Sequence, residues 1–341
     1  MTVEALPLES IACPLCGAAS ARTLWVERDL ALGVPGRFHA ARCEGCGLLY
    51  QNPRVRVDHL AQAYPPNYPA HTRDPELSRI LRDGSVAVRR VLAQDLGYRH
   101  LDVTGAGPLD ALRALAHRRK VRKNFPPWTG RGRLLDVGCA SGRFIKQMAA
   151  VGWEVAGIEF DPEAAAKAKT VTPRIFLGDP VDADFPPASF DLVTAFHVIE
   201  HLPDPLGALR NMVRWLAPGG LMIVEVPNVA GVGGSLFGRY WSGLDFPRHL
   251  IHFTPASMGA MVERAGGRVV HAMHKTKPRY LTRSLRHMMR ERGGLGARLV
   301  LGVIDSKVGA GAVKLALELT MPLFRILRRG EAVRYFIRGA G

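Results

Sequence analysis

The stretch Leu134-Leu135-Asp136-Val137-Gly138-Cys139-Ala140-Ser141-Gly142-Arg143-Phe144 decides the fold. An apolar run ends at an acid, a glycine-studded turn follows, and helical spacing then continues through Ile145, Met148 and Ala149. A buried parallel strand passes to a helix across a tight loop in this way. Glycine at 138 and 142 leaves room for a ligand to lie against backbone, where a Cβ would block it. The helix start adds unpaired N–H groups that suit a polar ligand. The spacing is not the G-x-G-x-x-G of dinucleotide enzymes.

Downstream, Val155-Ala156-Gly157-Ile158-Glu159 reads as a second strand, tipped by an acid about 20 residues after the glycine loop, as a ribose-binding carboxylate is. Asp161 and Pro162 then open a helix as N-cap and first residue. Gly178-Asp179 follows, then a strand at Phe190-Asp191-Leu192-Val193-Thr194-Ala195-Phe196. After His197-Val198-Ile199-Glu200-His201, a helix over 206–216 ends at Ala217-Pro218-Gly219-Gly220, and a strand over 221–226 leads to Pro227-Asn228. Strand and helix alternating at this rhythm predict a doubly wound parallel sheet.

Five motifs in this order and spacing resemble the class I S-adenosylmethionine (SAM) methyltransferases over about residues 129–274. The resemblance implies an α/β fold with a seven-stranded, Rossmann-like sheet. It implies that Gly138 and Gly142 border the methionine part of SAM, that Glu159 holds the ribose, that Asp179 lies near the adenine and that Phe196 lines the pocket. Asp136, Cys139 and Phe160 complete the expected cofactor-binding set. Ala140 stands where many relatives carry glycine; being small, it is expected to be tolerated.

The chain of 341 residues is long enough for one catalytic core with additions. Its first ten residues lack a basic start and an apolar block, so no secretory leader and a cytoplasmic location are expected. The longest apolar stretch, 308–324, is interrupted by Lys314 and Glu318 and falls short of a spanning helix. The net charge of +16 is uneven: residues 129–263 carry eleven basic and fourteen acidic side chains, residues 264–341 seventeen and four. A basic surplus confined to one segment points to a localised anionic partner.

Cys13-Pro14-Leu15-Cys16-Gly17 and Cys43-Glu44-Gly45-Cys46-Gly47 are two C-x-x-C-G knuckles. Each can turn two sulfurs toward one ion. Four thiolates close a tetrahedral shell with no open position, so structural zinc is expected, with iron the alternative that spacing leaves open. Cys139 lies apart and reads as a small packing residue. The knuckles, followed by Tyr64-Pro65-Pro66-Asn67-Tyr68, resemble the zinc-bearing methyltransferases of bacterial sugar, polysaccharide and secondary-metabolite pathways. That resemblance implies a ribbon covering the substrate side, with Tyr64 and Tyr68 in the substrate pocket.

Transfer of a methyl group from a sulfonium needs alignment and exclusion of water. An oxygen or carbon nucleophile also calls for a general base. The Asn/Asp-Pro-Pro-aromatic motif of base-amino methyltransferases is absent; Phe196-His197-Val198-Ile199 stands in its place, which favours an oxygen or carbon acceptor. Histidine is the natural base near neutral pH. His249 is the first candidate and His201 the second, with His197, Asn228 and Arg248 as substrate contacts and Arg248 meeting an anionic group. Glu200-His201 also resembles quinone-biosynthesis O-methyltransferases, where an acid near this pair is associated with a divalent ion; His197 occupies that acid's place, which speaks against magnesium.

The organisation expected is therefore a zinc ribbon and substrate-cover loop over 1–70 and a basic helical connector over 71–128. The SAM-binding core follows over 129–274, then a basic amphipathic helical insertion over 275–330 and the final strand over 331–341. Basic flanks around apolar helical stretches in 275–330 suit peripheral contact with anionic lipid at the inner membrane face, the alternative being a helical lid packed on the core. The expected activity is methyl transfer to an oxygen or carbon of a sugar-like, polysaccharide or lipid-linked metabolite. The alternative is a zinc-ribbon RNA methyltransferase, disfavoured because the core is not basic and no aromatic-interleaved basic stripe is present.

Overall fold

The computed structural model describes residues 5–64, 81, 86–105 and 107–340, apart from the side chains of residues 314, 318, 321 and 322. In chain order, β1 (Leu8–Glu9), β2 (Ala21–Glu27), β3 (Phe38–Cys43), β4 (Leu49–Gln51) and β5 (Arg54–Val55) carry the cysteine knuckles. Helices α1 (Val86–Leu96) and α2 (Pro108–Asn124) follow. Next come β6 (Arg133–Val137), α3 (Arg143–Ala149), β7 (Glu154–Glu159), α4 (Pro162–Lys169), β8 (Ile175–Leu177) and β9 (Phe190–Phe196). The chain continues with α5 (Pro205–Trp215), β10 (Leu216–Pro227), α6 (Val232–Phe237), β11 (Ile251–His252), α7 (Pro255–Arg264) and β12 (Gly267–Lys275). Helices α8 (Pro278–Arg292), α9 (Gly294–Asp305) and α10 (Lys307–Ile326) precede β13 (Ala332–Gly339).

A seven-stranded sheet runs in the order β12-β13-β10-β9-β6-β7-β8. β6 pairs in parallel with β7 and β9, and β7 with β8, Leu135 lying opposite Ala156 on one side and Val193 on the other. The expected α/β sheet is thus present. The strand expected over 221–226 begins earlier, at Leu216. Gly219 takes φ +74°, a conformation open to glycine, so the Pro218-Gly219-Gly220 stretch turns without leaving the strand.

The described residues fall into two compact units, one within 1–66, 196–210 and 224–337, the other within 67–195, 211–223 and 338–341. In the second unit the central strands are buried along nearly their whole length. Asp191, at the mouth of β9, organises the entry to β6. It accepts from the backbone N–H groups of Arg131 and Arg133 and from Nε and Nη2 of Arg133, all within 3.1 Å. Asp161 caps α4 through Ala164 N–H at 2.8 Å, with Pro162 at the first helical position, as expected. A buried aromatic group anchors the start of this unit: Trp153 Nε1 donates to the Tyr98 hydroxyl, which donates to the Pro126 carbonyl.

In the first unit, β2, β3, β4 and β11 form an antiparallel sheet in the order β11-β4-β3-β2. Ile251 lies opposite Tyr50, so a strand some 200 residues further along the chain completes the cysteine ribbon. Thr254 caps α7 by accepting from Ser257 N–H at 3.1 Å, with Pro255 at the first position, which anchors the far side of the loop. The core of this unit gathers Phe38, Leu49, Phe237, Trp241, Phe246 and Leu281.

Candidate functional site

The expected cofactor residues of the second unit cluster at the β6–α3 turn and the tip of β7. Glu159 is buried, and its carboxylate accepts from Ala140 N–H at 2.7 Å and from Phe160 and Asp161 N–H at 3.0 Å each. Three backbone donors therefore aim this acid across the glycine turn. Ala140 adopts φ +47°, a conformation that favours glycine, and places its N–H on that carboxylate. Gly138 has φ +69° and Gly142 φ +84°; a Cβ on Gly142 would also lie 2.9 Å from Cα of Ala168 in α4. Gly142 is thus required by packing of the turn against α4.

Asp136 is buried beneath the turn and accepts from the Thr194 hydroxyl at 2.6 Å. Burial, with the nearby Glu159 charge, pushes its carboxyl up to about 7. Cys139 is buried and fills the space over Gly157, where an added Cβ would meet its Sγ at 2.6 Å. Burial raises its thiol well above the ordinary range, which fits the packing role and not a nucleophile. Phe160 is about half exposed, and Asp179 Oδ1 accepts from Val181 N–H at 2.8 Å.

The remaining candidates lie in the first unit. Phe196 has the Arg334 guanidinium over its ring, 4.9 Å from the centroid. His249 Nδ1 lies 2.8 Å from the Gly243 carbonyl oxygen. A carbonyl only accepts, so Nδ1 carries a proton, while Nε2 lies 3.8 Å from Asp245 Oδ2. His201 stacks edge-on against His249 with centroids 4.6 Å apart. Its Nδ1 lies 2.9 Å from the Tyr64 hydroxyl and 3.1 Å from the Arg248 carbonyl oxygen. Burial, together with His249, lowers the His201 imidazole to about 4, so it is neutral at pH 7. Tyr64, His201 and His249 are thus brought together; Tyr68 lies outside the described residues.

Two expected substrate residues sit differently. Arg248 is fully buried, with Nη1 and Nη2 donating to the two carboxylate oxygens of Asp29 at 2.8 and 2.9 Å. Its Nη2 and Nε also donate to Asp245, and further bonds go to the carbonyls of Ala63 and Phe246. Its charge is neutralised inside the protein, so it presents none to an incoming anion. Asn228 is buried with Nδ2 donating to the Gly330 carbonyl and Oδ1 accepting from Ala230 N–H, which ties the end of β10 to the start of β13.

His197 takes φ +58° and joins a charged group that sequence reasoning missed. Its Nδ1 lies 3.1 Å from Glu200, its Nε2 3.4 Å from Glu225 and in contact with Lys277 Nζ. Glu225 also pairs with Lys277 at 2.8 Å and Arg334 at 2.9 Å. Burial alone would lower the His197 imidazole, but Glu200 and Glu225 outweigh it and hold it above its ordinary range, with Lys277 opposing. The signal available was Glu225 itself, an acid inside the otherwise apolar strand Leu221-Met222-Ile223-Val224-Glu225-Val226. Nothing local marks Lys277, Asp29 or Asp245.

Glu200, His201 and His249 each offer one donor atom, and these atoms lie within 4.8 Å of one another. The four knuckle sulfurs do likewise, with Cys13–Cys46 at 3.6 Å and Cys16–Cys43 at 3.5 Å. A tetrahedron with zinc–sulfur bonds of about 2.3 Å has edges of about 3.8 Å, so the set fits a closed zinc site. Gly17 and Gly47, at φ +79° and +74°, close the two turns through N–H bonds to the Cys13 and Cys43 carbonyls.

Comparison with known proteins places residues 109–272, a little under half of the chain, in a match to a family described as a methyltransferase domain. A ubiquinone biosynthesis O-methyltransferase of Xanthomonas euvesicatoria pv. vesicatoria is 30% identical over 148 residues, covering 39% of this chain and 62% of the relative. One of the same name from Xanthomonas campestris pv. campestris is 35% identical over 104 residues, covering 28% of this chain and 43% of that protein. The chain thus spans less than two thirds of the curated relatives it matches. Among solved structures, a SAM-dependent methyltransferase from Mesorhizobium loti is similar at a TM-score of 0.43 and 17% identity, covering 67% of this chain and 99% of that one. The match to a methyltransferase domain over residues 109–272 takes in both the glycine turn and the acid-tipped β7.

Proposed function

We propose that this chain transfers the methyl group of SAM to an oxygen of a small metabolite, sugar-like, polysaccharide or lipid-linked, with carbon as the alternative acceptor atom. The names of the curated relatives, O-methyltransferases of ubiquinone biosynthesis, support oxygen. Glu159 holds the ribose hydroxyls, for which its backbone-fixed carboxylate is pre-aimed. The turn at Gly138 and Gly142 borders the methionine part, and Asp179, Phe160 and Phe196 contact the rest of the cofactor. Bound there, SAM supplies an electrophilic methyl group on a sulfonium. His249 accepts the acceptor's proton at Nε2, and His201, with Tyr64, orients the ring and the substrate.

The observation that carries this reading is the Gly243 carbonyl on His249 Nδ1, which leaves Nε2 as the ring nitrogen that can face the acceptor. Four cysteines hold a structural zinc in the same proposal. The test is radiolabelled methyl transfer from SAM to a cell extract fractionated into lipid, polysaccharide and RNA. Label in a lipid or glycan fraction, lost in Glu159→Ala along with calorimetric SAM affinity, is the expected result. Label in RNA alone, or unchanged SAM affinity in Glu159→Ala, contradicts it.

A further inference from the structure

Helix α10 is apolar on two opposite sides, and only one of them is covered. Leu317 and Phe324 pack against the core cluster around Trp241, Phe246 and Leu281. Val308, Leu315, Leu319, Leu323 and Ile326 are exposed, Val308 by 84%, Leu319 by 73% and Ile326 by 74%. At 100° per residue these five fall in a stripe about 80° wide, and Leu317 and Phe324 lie about 160–180° away from Val308. Helix α9 repeats the pattern, with Leu295, Leu299 and Val303 exposed at every fourth position. Of the 22 large exposed hydrophobics among the described residues, ten lie between 295 and 327. The core already has its face of α10, so the outer stripe answers to something else.

The charge around the stripe says what. Residues 275–330 hold thirteen basic and three acidic side chains. Among the described side chains, Glu291 pairs with Arg28 and Asp305 with Arg286. Arg290, Arg292, Arg298, Arg325 and Arg328 are exposed beside the apolar residues. A second copy of this face would bring like charges together. An anionic phospholipid surface accepts both features, leucine and valine side chains entering the acyl boundary and arginines meeting the headgroups. No described helix is long and apolar enough to cross a membrane, which fits a helix pair lying in the interface. We propose that α9 and α10 dock this protein, in the plane of the interface, on anionic phospholipid.

The test is flotation of the full-length protein with vesicles of phosphatidylcholine, with or without phosphatidylglycerol, at low and high salt. Co-flotation with the anionic vesicles, weakened by salt, is expected. Leu299→Asp with Leu319→Asp should lower partitioning about tenfold or more while the thermal melt stays unchanged, because both side chains are exposed. Arg298→Ser with Arg325→Ser should also lower it about tenfold or more. Failure to float with anionic vesicles at low salt overturns the proposal. So does a sedimenting dimer that the leucine variant dissolves, which would assign the stripe to a second copy. Salt-sensitive RNA retention that only the arginine variant loses, without vesicle binding, would assign the charge to nucleic acid.

Discussion

At the residue scale, direction of hydrogen bonding decides what each candidate can do. His249 is buried and His201 half-buried in one cluster, and a search by residue type treats them alike. The Gly243 carbonyl takes the Nδ1–H of His249, and burial keeps His201 neutral, which is why the proposal gives the proton to His249 and the orienting role to His201. Replacing His249 by Gln, of similar reach but without basicity, should lower kcat by about 10²–10⁴-fold while SAM affinity by calorimetry stays near that of the native protein. An equal loss of SAM affinity would place His249 in the donor site instead. Arg248 shows the opposite case. Its position between β10 and β11 suggested an anion binder, but two aspartates take its charge inside the protein.

At the element scale, the loop holding His249 is fastened at three points. Its end continues into β11, which pairs with β4 of the ribbon. Gln51 Nε2 donates to the Pro247 and His249 carbonyls at 3.0 and 2.7 Å. Asp29 accepts from Ala31, Leu32 and Val34 N–H and from both terminal nitrogens of Arg248. The loop after β2 is thereby tied to the loop before β11 by a buried, bidentate pair. Asp29→Ala leaves the Arg248 charge half-compensated in a dry site and should cost about 3–5 kcal/mol of stability by urea unfolding. A loss below about 1 kcal/mol would mean that Asp245 alone satisfies the arginine.

At the scale of the whole molecule, the cysteine ribbon and the histidine loop form one unit, so removal of a metal from the four sulfurs reaches beyond the ribbon. We expect about one zinc per chain by elemental analysis. Chelation should lower Tm and lower methyl transfer with it, because β4 then loses the knuckles that flank it. A second zinc equivalent, absent from His249→Gln, would show that Glu200, His201 and His249 hold an ion as well.

The sheet was legible because its evidence is local. A buried strand, a glycine turn and an acid at the next strand's tip lie within 26 residues, and such a rhythm makes a parallel α/β sheet. The cysteine knuckles were legible for the same reason, since two thiols and a glycine in five residues make a turn on their own. What only tertiary structure decided involves partners far apart in sequence: Arg248 with Asp29, Glu225 with Lys277 and Arg334, β11 with β4, and the two apolar sides of α10. Hydrophobic spacing states that a face is apolar and a charge states that it needs an opposite. Which face the core covers, and which opposite charge is near enough to matter, depend on distances that arise when the chain has folded.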